Sequence, residues 1–447
     1  MRRKRIVIVL AASVCAVAIG FFGLISSTLS SVSAQDPTGI YAIRNARIIT
    51  VTGPVIENGT VVITNGKIAA VGANASVPSG AKVIEGRGLS VYPGMIDADT
   101  EIGLTEIGSV AGSVDTNEIG DNNANIHVDV AINTDSSHIA VTRVNGITTA
   151  LTAPRGGLIA GQSAILNLDG WTPREMVLKS PVAMHLNWPG GGGGGGRGEF
   201  GGFGQQRSVT ELRREQDRQI ESLKKILRDA AAYGDAKDAR AKDPSLPKQG
   251  VDLKLEALIP VVRGQMPVVI NVSLERDIKA AIAFVGEMKL KAIISGGIEA
   301  YKVADQLKAK NIPVIVGPVL RMPVSEDDPY DAAFSNAGLL SKAGVKIAFQ
   351  TNDSAYSRNL PYHAGMAAAF GLPKEEALKA VTIYPAEIFG VADLVGSIEQ
   401  GKIANLLVTD GDPLEIRTQI KHVFINGRDI PLTSRHTELY EKYKARP

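Results

Sequence analysis

The chain has 447 residues, 44% of them hydrophobic and 21% charged, with a formal net charge of +2. Arg2, Arg3, Lys4 and Arg5 carry +4 and the first 34 residues contain no acid, so the remainder stands at +2 − 4 = −2. A near-neutral body of this size offers no electrostatic basis for binding nucleic acid and is long enough for a large barrel with an accessory domain.

Residues 1–34 read as a signal peptide or an N-terminal anchor. "MRRKR" is a positive n-region, Ile6 to Ile25 is uncharged and apolar, and "SVSA" supplies small residues before Gln35. Cleavage is expected after Ala34. The apolar run has the length of a bilayer span, so an uncleaved anchor stays open, and membrane contact is expected only through it. Either way the body is periplasmic or secreted. The single cysteine, Cys15, lies inside this run, which leaves the body with neither disulfide nor thiol chemistry.

From 41 to 92 the sequence is β throughout. "AIRNARIITVTG" and "GTVVITNGKIAAVG" are short β-branched runs punctuated by Asn-Gly, the pattern of hairpins. The stretch 93–395 alternates instead. Short apolar runs such as "GMIDADTEIGL", "PVVINVS", "LKAIISGG" and "GVKIAFQTND" are separated by helical stretches such as "LERDIKAAIAFVGEM". Strands alternating with helices predict βα units on a parallel sheet, here an α/β fold with a (β/α)8 TIM-like barrel, whose chemistry sits at the strand C-termini. Two insertions interrupt it: a glycine-rich segment, 189–207, and a charged helix, 208–243, that opens with the Ser208/Glu211 capping box. "APRGGLIAGQSAILNLDGW" follows the strand "GITTALT". Its plainer reading is a β excursion with turns. Its functional reading places Arg155 at the site, with Gly156 and Gly157 allowing close backbone approach to a ligand. Residues 396–430 return to β character and are expected to pair with 41–92 as one small β-sandwich, before a charged tail, 431–447.

"YPGMIDADTEIGL" resembles the first barrel strand of the amidohydrolase superfamily, PG-[LM]-ID-x-H-x-H. "EALKAVTIYPAEIFGVADLVGSIEQGKIANLLVTDGDPL" is similar to that superfamily's C-terminal segment, and the imidazolonepropionase-like branch is the nearest in pattern. The resemblance runs from about Tyr41 to Ile430. It implies hydrolysis of carbon–nitrogen bonds other than peptide bonds, cyclic amides among them, by metal-activated water. A small-molecule substrate is expected, and a homo-oligomer stays open.

Carried over position by position, the two strand histidines become Asp99 and Glu101, and a middle-strand histidine becomes Asn271. The slot near Gly296 and Gly297 is also empty of histidine. Asp353 in "FQTNDSAYSRNLP" matches the last-strand aspartate, the metal ligand and general base toward bound water. Asp99, Glu101 and Asp353 together would favour Mg, Mn or Ca over Zn as a divalent cofactor. Arg155, Asn271 and His363 are the candidate substrate contacts. The loss of every histidine from the ligand slots sustains an alternative, a catalytically inactive scaffold with the same fold that binds a ligand or partner and holds no metal.

Overall fold

The computed structural model describes residues 39–190, 208–324 and 327–446. The expected signal segment 1–34 and the glycine-rich stretch from residue 191 to 207 lie outside the described residues. Among the described residues no helix is long and apolar enough to cross a membrane.

The chain begins with β1 (Tyr41–Ile48), β2 (Ile56–Thr64), β3 (Lys67–Gly72), β4 (Lys82–Glu85) and β5 (Ser90–Pro93). The central strands are β6 (Met95–Thr100), β7 (Ile147–Thr152), β8 (Ile159–Gln162), β9 (Ala164–Asn167), β10 (Val177–Lys179), β11 (Met184–Asn187), β12 (Val268–Val272), β13 (Ala292–Gly296), β14 (Val314–Val316) and β15 (Ile347–Phe349). The last three are β16 (Leu406–Thr409), β17 (Ile420–Ile425) and β18 (Arg428–Ile430).

The two ends of the chain share one eight-stranded sheet, in the order β18-β17-β16-β5-β1-β2-β3, with β4 also paired to β1. The join is antiparallel, β5 on β16, with Tyr92 opposite Leu407. The Asn-Gly pairs do what their backbone freedom predicts. Asn65 and Gly66 (φ 52° and 77°) turn β2 into β3, and Asn426 and Gly427 (φ 51° and 73°) turn β17 into β18. The two turns pack against each other, so that a Cβ built on Gly427 would lie 2.6 Å from the Gly66 Cα.

In the middle of the chain β6 pairs parallel with β7, and β11 through β15 form a parallel run in chain order. Helices Glu275–Met288, Ala304–Ala309 and Ala332–Lys342 follow β12, β13 and β14 in turn, the βα alternation read in the sequence. One position departs from the all-parallel expectation. The stretch 159–167 is a nearly continuous strand whose first part, β8, runs antiparallel to β11, and whose second part, β9, runs antiparallel to β7. The charged helix spans Val209–Lys242, and Ser208 and Glu211 form its capping box. It rests on helix Leu253–Val262, tied by Lys237–Glu256 and Arg263–Asp238 ion pairs.

Candidate functional site

Strand β6 is buried along its whole length, Asp97 and Asp99 included. A carboxylate in such a place must be paired or heavily hydrogen-bonded. Asp97 is held by the Thr351 backbone N–H at 3.1 Å and by the Thr351 hydroxyl. Burial pushes its pKa up to about 7, against the lowering effect of those two bonds.

Asp99 finds a cation. Its Oδ1 lies 2.7 Å from Nη1 of Arg155, and Nε of the same guanidinium donates to Glu101 Oε1 at 3.2 Å. One arginine therefore spans both carboxylates at the C-terminal end of β6. Burial alone would lower the Arg155 pKa. The two carboxylates outweigh it and hold the pKa above its ordinary value. The loop after β7 fixes Arg155 at both backbone ends: its N–H donates to Thr116 O at 2.8 Å, and its carbonyl accepts from Asn187 Nδ2 at 2.5 Å. Gly157 (φ 74°) allows this course, because a Cβ there would lie 2.6 Å from the Gly120 carbonyl oxygen. The close approach that the glycines permit is thus to the chain's own backbone.

Asp99 Oδ2 accepts from Ser295 Oγ at 2.9 Å, and the same hydroxyl lies 2.8 Å from Gln350 Oε1. With one proton to give, Ser295 shares it between the two acceptors. Gln350 is oriented by its own donation to Gly317 O at 3.0 Å. His185 completes the group from β11. It is 4% exposed, and its Nε2 has no hydrogen-bond partner. Burial brings its pKa down to about 4, with Asp99 raising it and Arg155 lowering it, so the imidazole is neutral at pH 7. Asn271 stands in register between Asn187 of β11 and Ser295 of β13, on the strand face that Ser295 occupies.

The other two residues singled out in the sequence lie differently. The Asp353 carboxylate accepts from the Tyr356 backbone N–H at 2.8 Å, within its own turn, while the Asp353 carbonyl accepts from the Thr100 hydroxyl at 2.5 Å. His363 belongs to helix Leu360–Ala369, and its Nδ1 accepts from the backbone N–H groups of Val319 (3.0 Å) and Leu320 (3.3 Å). Burial lowers its pKa to about 4. It anchors the loop that follows β14.

Asp99, Glu101 and Asp353 do not fit a divalent cation as arranged. The first two already share a guanidinium, the third is spent on a turn, and among the described residues no three His, Cys, Asp or Glu side chains stand as a ligand set. Sequence reasoning passed over Ser295 and Gln350. Ser295 lies directly before the Gly296-Gly297 slot, and Gln350 ends the run that leads to Asp353. Their hydroxyl and amide groups belong to no metal-ligand pattern, and no local spacing links them to residue 99. A cleft of about 820 Å³ opens instead at the N-terminal ends of β12, β13 and β14, between Lys179, Lys291 and Phe389.

Residues 289–430 match the family model described as "Amidohydrolase family". Amidohydrolase tasK of Hapsidospora irregularis is 25% identical over 399 residues, which is 83% of this chain and 39% of that protein, so the chain spans about two-fifths of that relative. Among solved structures, an amidohydrolase from Thermotoga maritima MSB8 superposes with a TM-score of 0.76 at 24% identity, over 88% of this chain and 100% of the other. A molinate hydrolase (TM-score 0.54, 16% identity, 88% and 95% covered) and the A. niger ochratoxinase (0.51, 17%, 88% and 96%) share the fold. These likenesses place the mixed α/β architecture among folds that contain a TIM barrel. The family-model match over residues 289–430 and the tasK relative together support a place for this chain in the amidohydrolase superfamily.

Proposed function

We propose that the protein acts on a small molecule with a carbon–nitrogen bond, bound at the C-terminal ends of its parallel strands. Family membership supports a hydrolase. The observation that carries this location is the convergence of Asp99, Arg155, His185, Ser295 and Gln350 from five separate segments. In that cluster Arg155 Nη2 and His185 Nε2 are buried and make no hydrogen bond. Buried polar atoms left open in this way are costly, and a ligand or ordered water that completes them repays the cost. The position agrees with where barrel enzymes carry their chemistry.

The barrel itself is part of the proposal. Ile96 of β6, Leu151 of β7, Ile165 of β9, Val269, Ile293, Ile315 and Ala348 of β15 pack in one apolar cluster. The Asn352 N–H, just past β15, donates to the Asp99 carbonyl at 3.0 Å. Both facts support closure of the central strands into one ring, with the terminal sheet folded beside it as a sandwich. Export with cleavage after Ala34 belongs to the same reading, and N-terminal sequencing of the mature protein should start at or near Gln35.

A second reading is favoured by one specific contact: Arg155 lying across Asp99 and Glu101. It makes the chain a scaffold that binds its ligand without hydrolysing it. One assay separates the two. The purified mature chain is offered small amides, lactams and ureas, with and without added divalent cations, while binding is followed by calorimetry. Turnover lost in Asp99→Asn supports the hydrolase. Binding without turnover, lost in the same variant, supports the scaffold. Neither binding nor turnover with any compound rejects the location.

A further inference from the structure

The superfamily resemblance places a metal ion between the residues at positions 99 and 101. We infer that Arg155 is the resident cation of this site and the residue that excludes divalent metal from it. The inference rests on the proposed location of the site and concerns what the site admits.

Three observations carry it. First, Arg155 satisfies Asp99 and Glu101 through two different nitrogens, Nη1 at 2.7 Å and Nε at 3.2 Å. A metal ion binding those oxygens would have to displace the guanidinium or sit against it, and like charges at that range in a buried site repel strongly. Second, the arginine is built in. Its backbone is pinned to Thr116 and Asn187, and Gly157 takes a left-handed conformation that lets the loop pass beneath residue 120. A side chain free to swing away would not need that support. Third, among the described ion pairs Arg155 is the one cation on either carboxylate. The other oxygen of each takes a neutral hydroxyl, Ser295 on Asp99 and Thr105 on Glu101. Asp99, Glu101 and Arg155 sum to −1, which one divalent ion in place of the arginine would turn to 0. The carboxylate pair thus retains the charge to hold a metal once the arginine is gone.

The consequence is a gain of function by deletion. Arg155→Ala opens the place between the two carboxylates, and Arg155→Met opens it while keeping an apolar stem to pack. The full mature chain and both variants are titrated calorimetrically with Mn²⁺, Mg²⁺, Ca²⁺ and Zn²⁺, with circular dichroism confirming the fold. The wild type is expected to take up no stoichiometric ion at this site. At least one folded variant is expected to bind one divalent ion at least ~100-fold more tightly than the wild type, the scale of relieving a direct like-charge contact. Adding Asp99→Asn to that variant removes the new binding.

Two results overturn the inference. One is stoichiometric binding by the wild type that Asp99→Asn abolishes, which needs no arginine variant to be folded. The other is a folded Arg155 variant that binds none of the four ions. Failure to find an organic ligand bears on the proposed function and leaves these titrations unaffected.

Discussion

Asp97 is the side chain whose ionisation is most at odds with its surroundings. Its pKa is about 7 in the fold and ordinarily near 3.8. A folded-state pKa above the unfolded value means that the folded state holds the proton more tightly. The stability associated with it is complete below pH 3.8 and is lost as pH rises through 7. The shift corresponds to about 4 kcal/mol across that window, as an upper bound for a wholly buried group. Asp97→Asn keeps an acceptor for the Thr351 N–H and cannot ionise. The melting temperature of the wild type should therefore fall relative to that variant between pH 5 and pH 8, and parallel profiles would refute the assignment. His363 acts in the opposite sense. Its pKa of about 4 lies below the ordinary 6.5, so its contribution is present above pH 6.5 and fades as pH falls through 4. His363→Ala should flatten that acid limb. It should also cost about 1–3 kcal/mol at pH 7.5 by chemical denaturation, since the buried Val319 N–H loses its acceptor.

At the level of elements, the paired Asn-Gly turns are the tightest junction between the two ends of the chain. Gly427 combines a φ of 73° with a Cβ position 2.6 Å from the Gly66 backbone, whereas Gly88, at a φ of 77°, faces open space. Gly427→Ala should therefore destabilise by about 2 kcal/mol or more and Gly88→Ala by about 1 kcal/mol, as read from urea midpoints. Such turns were legible in the sequence because their backbone requirement is local. The helices after β12, β13 and β14 were legible for the same reason. The antiparallel course of β8 and β9 was not. An apolar run such as "SAILNL" has the same alternation whichever way its neighbours run, so direction is settled only by the partners. The site divided along the same line. Asp99 and Glu101 stood in a recognisable motif. Arg155 was singled out beside its glycines, but its pairing with residues more than 50 positions back leaves no trace in local spacing. The Ser295 bond to Asp99 spans 196 positions and is further still from any sequence pattern.

For the molecule as a whole, the terminal sheet is where the chain is tied to itself. Strand β5 has β1 on one side and β16 on the other, and no other strand takes the place of β16. A chain ending at residue 405 should keep its helical content by circular dichroism and yet self-associate in sedimentation, through the bare edge of β5. A monomeric truncated chain would contradict this.

The same join sets a timetable for synthesis. From Pro93 at the end of β5 to Leu406 at the start of β16 the ribosome adds 313 residues. At ordinary elongation rates that interval is roughly 15 to 60 s. Throughout it the backbone polar groups of Ser90 to Pro93 that will later meet β16 face water or whatever binds extended polypeptide. Strand β5 is thus made early and completed late, and its need for a holding partner such as a chaperone ends only when Leu406–Thr409 arrive.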